Sequence, residues 1–116
     1  MTTLIALLST GKGSWAHVSK LSSHFEETIL ITNDFGKEKY TPTSTTQMII
    51  TDLQAPIHVL QDVFLKELRP LVKGTEVALN MVSGAGNEHM ALLSALLKLG
   101  VGIRLVVATE QGFEEF

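Results

Sequence analysis

Short β-prone runs alternate with longer helical patterns along this chain. The runs fall at Thr3–Ser9, Thr28–Asn33, Gln47–Asp52, Glu76–Ser83 and Ile103–Thr109. Leu4-Ile5-Ala6-Leu7-Leu8 and the stretch from Ile103 to Ala108 are almost continuously apolar or β-branched. That is the pattern of parallel strands covered on both faces. From Ser14 to Phe25, the residues Trp15, Val18, Leu21 and Phe25 share one helical face. From Ala55 to Val72, the residues Ile57, Leu60, Val63, Phe64, Leu68 and Leu71 do the same, with Pro56 suited to a first turn. A third helix is expected over Gly86 to Leu99, ending at Gly100 as a C-terminal cap.

The third helix is apolar nearly all round (Met90, Ala91, Leu92, Leu93, Ala95, Leu96, Leu97), so it needs cover on more than one side. A second copy of the chain or the helix's own neighbours can provide it. The resulting order, β-α-β-loop-β-α-β-α-β, predicts an α/β fold. Its mainly parallel five-stranded sheet would carry helices on both faces, with the strand starting at Thr3 in the middle. Asp34 to Thr46 has about the minimum length a parallel crossover needs. Gly36, Pro42 and a Thr/Ser cluster make it an exposed loop with at most a turn of helix.

Length and composition narrow the class further. The 116 residues suit a single domain spanning 1–116, and 45% hydrophobic with only 6% aromatic residues implies a core of Leu, Ile, Val and Ala. No cysteine is present, which removes disulfides and thiolate metal sites and is compatible with a reducing, cytoplasmic location. Met1 to Ser9 is too short and lacks the positive flank of a signal peptide, and no run is long enough to span a bilayer. A soluble protein is expected. The formal charge of −3, from nine basic and twelve acidic residues, argues against binding long nucleic acid. It says nothing against one anionic ligand held by backbone N–H groups and a local cation.

Two strand-to-helix junctions have chemistry suited to such a ligand. The first is Ser9-Thr10-Gly11-Lys12-Gly13-Ser14-Trp15, with two glycines, two hydroxyls, a cation and a helix start. It lacks the spacing of a Walker A loop and of the dinucleotide fingerprint, and its glycines can equally serve a tight turn alone. The second is Val82-Ser83-Gly84-Ala85-Gly86-Asn87-Glu88-His89-Met90. There Ser83, Asn87 and His89 offer hydrogen bonds, although Ser83 or Asn87 can also be a plain N-cap. Glu88 can simply complement the helix dipole, and His89 can be a satisfied surface histidine. His17 and His24, seven apart on one helix, are too far apart to share a metal, so no metal site or cofactor is expected. Asp34, Glu38, Asp52, Glu110, Glu114 and Glu115 read as solvated charges.

The stretch Ser83-Gly84-Ala85-Gly86-Asn87-Glu88-His89-Met90-Ala91-Leu92-Leu93 resembles the CARF (CRISPR-associated Rossmann-fold) domains. So do the strand Gly102-Ile103-Arg104-Leu105-Val106 and the opening Leu7-Leu8-Ser9-Thr10-Gly11-Lys12-Gly13-Ser14-Trp15. The likeness covers nearly the whole chain in layout, through loose motifs. It implies a Rossmann-like fold and a two-fold homodimer that binds a cyclic oligoadenylate across its interface, through the loops after the first and fourth strands. The ligand-binding residues would then be Thr10, Gly11, Lys12, Gly13, Ser14, Trp15, Ser83, Gly84, Gly86, Asn87 and His89.

Relatives that act as effectors usually carry a second domain, which these residues do not contain. The chain is then either a sensor or a metal-independent ring nuclease. In the latter, the site would align a ribose 2′-oxygen with the neighbouring phosphorus, Lys12 would stabilise phosphate charge, and His89 would move a proton. A dimerisation or scaffold module without a nucleotide ligand is the alternative from another class.

Overall fold

The computed structural model describes residues 2–9 and 12–116, with Lys12 described in its backbone alone. Six strands form one sheet: β1 (Thr3–Leu8), β2 (Glu27–Thr32), β3 (Thr46–Ile50), β4 (Glu76–Asn80), β5 (Gly102–Thr109) and β6 (Gly112–Glu115). Four α-helices accompany them: α1 (Trp15–Ser22), α2 (Asp34–Lys39), α3 (Ile57–Leu68) and α4 (Gly86–Leu99). Across the sheet the order is β3, β2, β1, β4, β5, β6. Pairings from β3 through β5 are parallel, while β5 and β6 form an antiparallel pair. The sheet is thus α/β and mostly parallel, with six strands rather than the expected five. The missed strand, Gly112–Glu115, has only one large apolar residue, Phe113, and its pairing comes from a tight return after Thr109.

The alternation of side chains along β1 builds both halves of the core. Ile5 and Leu7 join Ile29, Ile31, Val77 and Leu79 beneath α3 and α4, which contribute Leu60, Phe64, Leu68, Ala91, Leu92 and Ala95. Leu4, Ala6 and Leu8 point the other way, against Trp15, Val18 and Leu21 of α1. Helices therefore cover both faces, and the strand starting at Thr3 lies in the interior of the sheet. All six residues of β1 are buried, as its continuous apolar run implied.

Three expectations change. Asp34–Lys39 is a six-residue helix rather than a loop with at most a turn, because the Asn33 side chain caps it by accepting the Gly36 N–H at 2.9 Å. The run Ile103 to Ala108 is not covered on both faces: Val106 is buried under α1, but Leu105 on the opposite face is 43% exposed. Glu115 is paired rather than simply solvated. Arg104 donates from Nε to its Oε1 at 2.9 Å and from Nη1 to Glu76 at 3.0 Å, joining β4, β5 and β6. That guanidinium holds the Glu115 carboxyl below its ordinary range.

The last helix ends as expected, with Gly100 left-handed at φ +78°. One flank of α4 packs on α3, where Gln61 meets Ser94, yet Met90 and Leu97 remain 61% and 65% exposed. No described helix is long and apolar enough to cross a membrane.

Candidate functional site

The C-terminal ends of β1 and β4 lie side by side in the sheet. The chain leaves β1 for α1 on one face and leaves β4 for α4 on the other. Where adjacent crossovers diverge in this way, a crevice opens outside the strand ends, and open α/β sheets bind ligands there. A direct bond joins the two loops. The Ser9 N–H donates to Ser83 Oγ at 2.9 Å, across 74 positions of sequence, and Ser83 is buried. The two glycine loops singled out in the sequence thus belong to one place.

In the second loop, Gly84 takes φ +107°, a conformation that disfavours any residue with a Cβ. The helix that follows has Ala85 at its N-cap, not Ser83 or Asn87, and among the described residues it has no side-chain cap. The early N–H groups of α4 are therefore offered outward, at the positive end of a fourteen-residue helix. Gly86 opens the helix with free space where a Cβ would be, and Asn87 is exposed. His89 is half-buried, with Nε2 3.0 Å from the Ser83 carbonyl oxygen. A carbonyl only accepts, so Nε2 carries the proton and Nδ1 is the ring nitrogen left to accept one.

Glu88 turns inward. It is only 6% exposed, and its Oε1 has no hydrogen-bond partner among the described residues. Leaving such an atom orphaned costs about 1–3 kcal/mol.

In the first loop, Thr10, Gly11 and the Lys12 side chain lie outside the described residues. Lys12–Ser14 form one turn of 3-10 helix leading into α1. Gly13 is exposed, and Ser14 makes no side-chain cap. Trp15 is nearly buried, with its ring 5.9 Å from Phe35 and 6.1 Å from Tyr40. Its Nε1–H reaches the Ser9 carbonyl at 3.4 Å, so the indole braces the loop from the core side.

A polar cluster beneath the site had no distinct sequence signal. Asn80, the last residue of β4, is buried and donates Nδ2 to the Val106 carbonyl at 2.8 Å. Its Oδ1 accepts the Val82 N–H at 3.3 Å, and Nδ2 lies 3.2 Å from His17 Nε2. The same His17 nitrogen accepts the Ala108 N–H at 3.2 Å, which makes the ring neutral with its proton on Nδ1. Burial, then the nearby Lys20, lowers the His17 pKa from its ordinary value. The only hint in sequence was an Asn closing an otherwise apolar strand.

His17 carries a pH prediction. A histidine depressed in the folded state binds fewer protons there than in the unfolded chain, so stability is full above about pH 6.5. It declines as pH falls through that value toward the lowered folded one. The melting temperature should drop between about pH 7 and pH 5. In His17→Gln, which keeps an acceptor for Ala108, that part of the profile should flatten. Parallel profiles for the two proteins would contradict this account.

His24 lies beyond the end of α1, against Phe113 at 5.7 Å, so the two histidines do not even share a helix. Among the described residues no three His, Cys, Asp or Glu gather as metal ligands. Scans against protein-family models and curated proteins return no match for this chain.

Proposed function

We propose that the chain binds a cyclic oligoadenylate second messenger, as a cytoplasmic homodimer in CRISPR-linked antiviral signalling. The observation that carries this reading is the hydrogen bond between Ser9 and Ser83, which brings two glycine loops together at the sheet's switch point. Free N–H groups at the start of α4 suit phosphates, and the sequence of the first loop offers a cation, Lys12. The resemblance to CARF domains supplies the ligand class. Exposed Met90 and Leu97 on α4 favour a second copy of the chain, and two-fold symmetry would set four loops around one axis. A ring-shaped ligand has matching symmetry.

Metal-independent cleavage of the ring is the second reading, favoured by His89. Its Nε2–H donates to the Ser83 carbonyl oxygen, which leaves Nδ1 as the accepting ring nitrogen.

The test is binding and product analysis with rings of four and six adenylates, alongside light scattering. Lys12→Ala should weaken binding about 10- to 100-fold, the range of a charge-assisted hydrogen bond. His89→Ala should slow single-turnover cleavage about 100-fold or more in a ring nuclease, while changing affinity far less. In a sensor, intact ring is recovered from the wild-type protein. No thermal shift and no turnover with either ring removes the assignment and leaves a scaffold module, and a monomer at micromolar concentration removes the shared site.

A further inference from the structure

The backbone ladder between β4 and β5 runs from the pair Glu76–Gly102 to the pair Leu79–Leu105 and stops there. Beyond it β4 leaves for the second glycine loop, while β5 continues to Thr109. Side chains take over where the ladder ends. Asn80 Nδ2 donates to the Val106 carbonyl at 2.8 Å, and the Ala108 N–H donates to His17 Nε2 at 3.2 Å. A residue of α1 thus supplies the acceptor that β4 no longer offers. The same ring nitrogen lies 3.2 Å from Asn80 Nδ2, and Asn80 Oδ1 accepts the Val82 N–H at 3.3 Å. This clasp connects Ala108, His17, Asn80 and Val82, and so joins β5 to the start of the second loop.

We propose that His17 is a proton-operated switch: a proton taken from solvent at Nε2 opens the clasp, parts the ends of β4 and β5, and loosens the start of the second loop. Neutral His17 gives its one Nε2 lone pair to a cluster otherwise short of an acceptor. Once Nε2 is protonated, its N–H faces the Ala108 N–H and the Asn80 amide donors with no acceptor between them. An unpaired buried donor is costly, so the contact breaks. Turning the Asn80 amide over would offer the imidazolium an oxygen. It would also set that oxygen against the Val106 carbonyl and the NH2 against the Val82 N–H. No orientation of the amide satisfies all four groups.

The surroundings do not compensate the charge. Helix α1 packs on β1, β5 and β6, and β1 carries no charged residue. Arg104 is bonded to Glu115 and Glu76, while Glu114 lies opposite Val107, on the other face of the sheet from Ala108. Glu110 is exposed in the turn between β5 and β6, and His24 lies against Phe113. Lys12 precedes α1, with its side chain outside the described residues. Lys20, also on α1, is the charge that acts on the imidazole, and it opposes the proton. The switch therefore stays closed at neutral pH and opens below the ordinary histidine pKa.

The test is an NMR titration of the free protein from pH 7.5 to pH 4.5. At pH 7.5 the His17 ring should show an unprotonated Nε2. As it titrates, the Val82 and Ala108 amide signals should shift with the His17 midpoint. Protection of both amides against hydrogen exchange should fall about tenfold beyond the intrinsic pH effect, the range of one lost hydrogen bond. In His17→Gln, which keeps an acceptor for Ala108, both responses should vanish. His89 also touches the second loop, through the Ser83 carbonyl, so a response surviving in His17→Gln would belong to His89 and overturn the proposal. A His17 ring that titrates while Val82 or Ala108 stays unmoved overturns it too, as does a ring that stays neutral until the protein unfolds. These last readings use the wild-type protein and hold even where the variant does not fold.

Control of ligand binding by this switch rests on the oligoadenylate reading above. Between pH 7.5 and pH 5, wild type should lose about three- to tenfold more affinity for the cyclic tetra-adenylate than His17→Gln does. Equal losses would overturn that control. If the ring does not bind at all, the oligoadenylate reading falls, and the amide signals alone decide the switch.

Discussion

Gly84→Ala should lower the melting temperature by roughly 8–20 °C and reduce ligand affinity by more than any other single change in the second loop. Two costs add at this position. The backbone angle of φ +107° strains any residue with a Cβ, typically by about 1–3 kcal/mol. The new methyl group would also meet Glu88 Oε1 at 2.9 Å, with His89 and Leu7 close behind, and overpacking costs about 1–3 kcal/mol more. Relief requires moving the Glu88 or His89 side chains, and His89 is among the residues proposed to meet the ligand. Gly86→Ala is the contrast within the same motif. Its Cβ would meet nothing within 4 Å, and alanine is the better helix former, so it should leave stability unchanged or raise it by up to about 1 kcal/mol. Thermal melts of the two variants side by side check the claim, and equal losses would refute it.

A comparable loss of stability should come from Asn80→Asp. The substitution keeps the shape of the side chain and removes its donors. A carboxylate oxygen would then face the Val106 carbonyl, 2.8 Å away in the present structure, inside a position that is 1% exposed. An unpaired buried charge of this kind costs about 3–5 kcal/mol. The cost should shrink in acid, since burial raises the pKa of the new carboxyl and its protonated form regains a donor. Protonated His17 would also become a partner rather than a second acceptor. Denaturant melts at pH 7.5 and pH 5 measure both effects. A variant as stable as wild type at neutral pH would show that Asn80 does not hold the ends of β4 and β5 together. The proposed ligand site adjoins the end of β4, so ligand affinity should fall in parallel.

These two positions show how unevenly the site was legible from the chain. Gly84 stood out as a glycine in a loop opening a helix, and its meaning could be framed as conformational freedom. What it makes room for could not, because Glu88 four residues on is equally at home on an exposed helix start. Asn80 and His17 are 63 residues apart, and neither belongs to a motif. Trp15 fell inside the first loop by sequence, and the structure turns its ring toward Phe35 on α2, a helix expected to be mostly loop, and toward Tyr40 just beyond its end.

By itself, the sequence determined the α/β order, the burial of β1, the extent of α4 and its glycine cap. Each of these follows from local periodicity and from single-residue backbone preferences, which act over a few neighbours. Only the tertiary structure decided the sixth strand, the open face of β5 and the inward turn of Glu88. The same holds for the meeting of the two loops through Ser9 and Ser83. These depend on which strands lie side by side, and that is settled by packing among residues dozens of positions apart, where the local pattern carries no information.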